Sequence, residues 1–193
     1  TNLGGLYQLH ESMQYNPTQG QQGICPPGWH LPTDLEWKIL EGTVDSQYGI
    51  GDPEWDGIEF RGSDAGTNLR LGGSSGFDAI STGYRLSNGN FGFSYVTYFW
   101  TSTGDMRSAA WIRYLFGNVN PYVWRSFNAS TDGYSVRCLK GESSVNQSPE
   151  IPSDPEPSDG ADLQTTGTDI SWVCMDTDDD PLTYDIYFGT LAN

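Results

Sequence analysis

Apolar and polar residues along this chain alternate in two different rhythms, and the change of rhythm locates its elements. Leu35, Ile39 and Leu40 recur at helical spacing, with Trp37 and Val44 flanking the same stripe. Thr33 and Glu36 stand at capping-box spacing just ahead of it, and Asp34 and Glu36 place negative charge on the positive end of the helix dipole. A helix opening at Thr33 and closed by residues 49–53 is therefore predicted. Downstream the rhythm changes to aromatic-rich segments. Residues 98–103, 109–116, 122–127 and 133–139 read as four strands of an antiparallel meander, with residues 117–120 as one hairpin connection. Asn88-Gly89 marks a turn between two short strand-like pieces, and residues 61–77 read as glycine-rich loops.

Polar breaks set the domain organisation. Residues 142–160 are rich in proline, serine and acids and hold almost nothing to bury, which is a linker composition. Residues 1–141 form one domain ahead of it. Residues 161–193 regain strand character at 169–174 and 182–188, as the opening strands of a β-sandwich that needs around 100 residues to complete. With 24 glycines, 13% aromatic and 18% charged residues, helical bundles and coiled coils are excluded. The fold class expected is α+β: one well-capped helix and an antiparallel sheet, loop-rich, followed by a partial β-sandwich segment.

A net charge of −16 leaves too few cations to neutralise phosphates, which argues against nucleic acid as a partner. No apolar run is long enough to span a bilayer. There is no signal peptide, and Thr1 to Tyr7 resembles the inside of a domain, so the chain reads as a mature or truncated piece. Cys25 and Cys138 sit at the edges of the first compositional block. That favours a disulfide between them over two buried thiols, while Cys174 reads as a buried free thiol.

Candidate chemistry is sparse. Gly72-Gly-Ser-Ser-Gly76 fits G-x-S-x-G but lies in a loop, not between a strand and a helix. His10 and His30 are the only histidines, and His30 reads as a structural hydrogen-bonding group. No zinc spacing occurs. Calcium is the one cofactor with a candidate seat: Asp176, Asp178, Asp179 and Asp180 crowd one turn, and Asp45, Asp52, Glu54 and Asp56 form a looser second set.

Gly5-Leu-Tyr7, Cys25-Pro-Pro-Gly-Trp-His-Leu-Pro-Thr-Asp-x-Glu-Trp37, Arg61-Gly62, Gly83-Tyr-Arg85, Phe99-Trp-Thr-Ser-Thr103 and Gly133-x-Ser-Val-Arg-Cys-Leu139 follow one another in a specific order. Over about residues 3–140 this resembles the Fibrobacter succinogenes major paralogous domain. The resemblance implies a C-type lectin-like or formylglycine-generating-enzyme-like fold in a secreted or cell-surface protein of a Bacteroidota or Fibrobacterota type of bacterium. The stretch after Gly160 resembles the start of a fibronectin type III or immunoglobulin-like repeat. The Glu-Pro-Asn, Gln-Pro-Asp and Trp-Asn-Asp tripeptides of calcium-dependent lectins are missing, as is the close cysteine pair of the formylglycine-generating enzymes.

In lectin-like folds the final strand run carries the ligand surface. Here that run holds Tyr114, Asn118, Asn120, Tyr122, Trp124, Arg125 and Asn128, residue types that make strong recognition contacts. Trp100 and Trp111 belong to the family pattern and are expected inside; Tyr114, Tyr122, Trp124 and Arg125 fall outside it and are expected at the surface. The function expected is a non-catalytic binding or adhesion module for an extracellular glycan or protein. The alternative is a structural module whose aromatic residues engage neighbouring subunits.

Overall fold

The structure, a computed structural model, describes residues 4–92, 95–105, 107–117, 120–141, 150–162, 165, 167–175 and 183–186. Its elements in chain order are α1 (Leu9–Ser12), β1 (Trp29–His30), α2 (Asp34–Val44), a 3-10 turn (Pro53–Asp56), β2 (Glu59–Arg61), α3 (Ala65–Leu69), β3 (Tyr84–Arg85), β4 (Phe91–Gly92), β5 (Val96–Asp105), β6 (Ala109–Phe116), β7 (Val123–Ala129), β8 (Leu139–Lys140), β9 (Ser153–Glu156) and β10 (Ser171–Val173). Of the described residues 31% are in strands and 15% in helices. The α+β class is therefore corrected to a mainly β fold of several small antiparallel sheets. Among the described residues, two of the three α-helices stop after four and five residues. The residues between α2 and β5 are joined by turns and side-chain bonds to the backbone, and α3 there replaces part of the expected loop.

The start of α2 follows its local code. Thr33 Oγ1 accepts from the Glu36 amide at 3.2 Å, and the Glu36 carboxylate accepts from the Thr33 amide at 2.7 Å. Its buried face is the expected one in part: Trp37, Leu40 and Val44 pack on the core. Leu35 and Ile39 are 43% and 41% exposed, whereas Asp34, Trp37 and Glu41 turn inward. The reason lies opposite, where three arginines from three strands face the helix. Arg113 and Arg125 pair with Asp34 at 2.8 and 2.7 Å, Arg61 pairs with Glu41 at 2.8 Å, and Arg113 also reaches Glu41. Ion pairs together with the packing of Trp37, Leu40 and Val44 orient this helix.

β5, β6 and β7 form the expected meander, in a sheet ordered β2-β7-β6-β5. Its fourth strand is β2, with Phe60 opposite Trp124, and not residues 133–139. Those residues instead bridge Tyr134 to Tyr7 and Gly133 to Arg85, and end in β8 paired with β1. The Cys25–Cys138 disulfide, with Cα atoms 5.7 Å apart, fixes them there. One sheet face lays Phe99, Leu115 and Val123 against Trp37, Trp55 and Leu69. Among the described residues of the first unit, the other face is covered at one end, where Ala110, Ile112 and Trp100 pack with Leu9, Met13, Leu31 and Tyr134. The Asn88-Gly89 turn joins β3 to β4, closed by Leu86 and Asn90.

The chain divides into two compact units, Thr1–Ser143 and Ser144–Asn193. In the second, β9 and β10 pair antiparallel, so β10 draws its partner from the proline-rich stretch. Residues 183–186 hold no strand. Cys174 is free but half-buried, its thiol donating to the Glu150 carbonyl at 3.1 Å, so it is less enclosed than expected.

Asp45, the C-cap of α2, closes the helical side of the first unit. Its carboxylate accepts from the amides of Gln47, Tyr48, Ser63, Asp64 and Ala65 at 2.7–3.0 Å, and from the Ser63 hydroxyl. Burial opposes its ionisation, but the amides of Asp64, Gln47, Ser63 and Tyr48 hold it well below the usual carboxylate range. Burial likewise opposes ionised Asp34, and Arg125 and Arg113 outweigh it in the same direction. Below about pH 4 the unfolded chain is then the stronger proton binder. Stability is expected to be level near neutrality and to fall as acid carries the chain from that pH down through the native values. Urea midpoints across the acid range check this. Asp45→Asn should flatten the acid arm and cost about 1.5–3 kcal/mol at neutral pH; a midpoint indifferent to acid would contradict the assignment.

Candidate functional site

Strand alternation places Phe60, Trp124, Tyr114 and Tyr98 side by side on the partly covered sheet face, one from each strand. Phe60 meets Trp124 edge-on with centroids 4.7 Å apart, and lies 5.6 Å from Phe116 and 5.9 Å from Tyr122. Phe116 contacts Tyr114 at 4.1 Å, and Tyr114 stacks on Tyr98 at 4.5 Å. Tyr98 in turn meets Tyr84 and Tyr134, which anchor the row against the core. Toward the β2 edge the row emerges into solvent: Phe60 is 46% and Tyr122 41% exposed, with Trp124, Tyr114 and Phe116 half-buried. Burial pushes the Tyr98 and Tyr114 hydroxyls up, with Tyr114 and Tyr84 adding to it at Tyr98 and Tyr84 at Tyr114, so these phenols stay neutral.

The turn before β7 is set by close approach. Gly66 of α3 donates to the Pro121 carbonyl at 2.7 Å, and a Cβ at Gly66 would come within 2.1 Å of the Tyr122 carbonyl oxygen. Asn120 accepts from the Tyr122 amide at 2.9 Å. Asn128, on the same sheet face, donates to the Tyr134 hydroxyl at 2.8 Å, which donates to Asp132.

Of the residues singled out in the sequence, Tyr114, Tyr122, Trp124 and Asn128 thus share one face, and Asn120 shapes its edge. Arg125 does not belong with them. It sits on the opposite face, 6% exposed, bound to Asp34 and lying 3.4 Å over the Trp111 ring. Its expected exposure is overturned by that ion pair. Trp100 is fully buried, while Trp111 is half-buried at the far end of the helix-side face beside Phe127. Asn118, Asp176, Asp178 and Asp180 lie outside the described residues. Phe60 and Phe116 were not singled out; Phe60 arrives from β2, and only the pairing with β7 reveals it.

The other candidate groups are taken up by structural partners. The second calcium set is engaged throughout: Asp45 as above, Asp52 capping the 3-10 turn, Glu54 accepting from the Gly62 amide and Asp56 paired with Lys38 at 2.7 Å. Among the described residues no group of three acids, histidines or cysteines can hold a metal ion. Ser74 and Ser75 donate to Asn68, and His30 bridges Glu36 at 2.8 Å and the Gly141 carbonyl at 3.1 Å, bracing α2 to the end of the domain. Two clefts of about 310 and 330 Å³ flank Arg137 and Cys138. In the first, Glu36 is taken by Thr33 and His30, and Arg137 donates to the Phe77 carbonyl at 2.7 Å.

These features define a disulfide-closed, mainly β domain with one helix held by buried ion pairs and one sheet face left half open. Residues 1–140 match the Fibrobacter succinogenes major domain (Fib_succ_major), and the chain belongs to that family. No curated protein and no solved structure matches it. Among the described residues no helix is long and apolar enough to cross a membrane.

Proposed function

We propose that the first unit is a non-catalytic recognition module of a secreted or cell-surface protein, its ligand an extracellular glycan or protein. The observation that carries this is the contiguous aromatic row that leaves the core at Tyr98 and ends uncovered at Phe60 and Tyr122. Rings of this kind give large contact area at small entropic cost. A disulfide closing the domain suits an oxidising compartment. The engaged serines and the braced histidine are structural, which supports binding over catalysis. The second unit would open a fibronectin type III or immunoglobulin-like repeat, a reading supported by the β9–β10 pair and by Trp172 against Tyr184 at 5.2 Å. Arrays of glycans and extracellular proteins test the main reading. Wild-type chain is expected to bind and Trp124→Ala to lose most of the signal with its circular dichroism unchanged; binding indifferent to Trp124→Ala and Tyr122→Ala ends it. Self-association lost in the same variants would favour the structural alternative.

A further inference from the structure

We propose that the open aromatic half-face binds a neutral polysaccharide, lying across the strands with pyranose faces against Phe60, Trp124 and Tyr122. This rests on the reading of that face as the recognition surface and names the ligand class it takes. Charge is the first argument. Every charged side chain of β2, β6 and β7 (Glu59, Arg61, Arg113 and Arg125) falls on the opposite face by register. The open half presents Phe60, Tyr114, Phe116, Tyr122, Trp124 and Ser126, and none of them carries charge at neutral pH. The first unit, residues 1–143, holds 14 acids against nine Lys and Arg, a modest negative balance that gives polyanions no electrostatic attraction to this face. A cationic partner would be drawn to the chain but would find no carboxylate among those six side chains.

Shape is the second argument. Phe60 and Trp124 meet at 88°, forming a corner of two ring walls, with Tyr122 beside it. A pyranose offers a flat C–H face to one wall and keeps its equatorial hydroxyls at the rim, where Ser126 and Asn128 follow Trp124 along the same side of β7. The three strands that carry these rings, β2, β7 and β6, spaced about 4.8 Å apart, set the outer two about 10 Å apart, which suits two linked sugars better than one.

Affinity gel electrophoresis of the 193-residue chain tests this, with mixed-linkage β-glucan, xyloglucan, galactomannan and soluble starch as neutral probes and polygalacturonate and heparin as polyanions. At least one neutral polymer is expected to retard the chain equally at low and high salt. Trp124→Ala and Phe60→Ala should each weaken it on the order of tenfold. Tyr15→Ala, which removes an exposed ring that stacks on His10 and has no place in the row, should not. Tyr122→Ala, outside the strands, gives the same readout should a strand variant fail to fold. Retardation by none of the neutral polymers overturns the ligand class. Salt-sensitive retardation by a polyanion that the ring variants abolish overturns the class but leaves the face standing. Neutral-polymer binding that survives all three ring variants overturns the assignment to this face.

Discussion

Removing the Cys25–Cys138 bond, by reduction or by replacing both residues with alanine, is expected to lower the unfolding temperature by about 10–20 °C. The two cysteines are 113 residues apart, and closing a loop of that length removes enough chain entropy from the unfolded state to contribute about 4.8 kcal/mol at 25 °C. For a chain of this size each kcal/mol moves the midpoint by about 2–4 °C. The other ties between these points are non-covalent, including the His30 and Gly28 bonds to Gly141. The β1–β8 ladder is two residues long, and beyond it the ends of the unit meet at the Tyr7–Tyr134 bridge. Alanine also trims Cys25 out of the cluster of Leu9, Met13, Leu31 and Trp100, a small packing loss in the same direction. Calorimetry with and without reductant separates the two contributions, since only the alanine pair alters packing. A shift of less than about 2 °C on full reduction would mean that the bridge constrains nothing the packed core does not already hold.

What could be read in advance follows from how local each cause is. The cap of α2 is written within four residues, Thr33 to Glu36, and it forms as read. The aromatic alternation of β5, β6 and β7 is carried inside each strand, and the three pair in sequence order. The disulfide needed two positions but little else, because both flank one compositional block. The misreadings share a different origin. Leu35 and Ile39 face water because Asp34 and Glu41 answer arginines in β2, β6 and β7, residues that no window around the helix contains. Arg125 reads as a surface residue until Asp34 is placed beside it. Phe60 sits in a strand of only three residues, too short for alternation to register, and it joins the aromatic row through pairing alone. Asp45 reads as one acid among several, and its amide donors come partly from residues 63–65. The candidate surface was therefore half legible: its Tyr and Trp members lie close together in the chain, while the ring that completes the corner comes from far upstream.

Glu41→Gln is expected to cost about 3–5 kcal/mol, enough to leave much of the chain unfolded at moderate urea. Glu41 is fully buried and accepts from two guanidinium groups, Arg61 on one oxygen and Arg113 on the other. Glutamine keeps the volume but removes the charge, and it turns one acceptor into a donor facing a cation. Arg113 retains Asp34; Arg61 keeps only the Trp55 carbonyl, while its Nε already lacks a partner. Burial pulls the Arg61 guanidinium down to about 10 against the pull of Glu41; a guanidinium is so basic that even without Glu41 it cannot escape the cost by losing its proton. The loss therefore reflects an uncompensated buried cation more than the worth of the pair. That distinction has its own readout. Arg61→Met in the Glu41→Gln background should recover part of the stability, because it removes the stranded charge and restores apolar packing against Trp55. Urea unfolding of the two single variants and the double variant closes the cycle. A Glu41→Gln cost below about 1 kcal/mol, or a double variant whose loss equals the sum of the two single losses, would show that Glu41 is not the anion that lets α2 lie on the sheet.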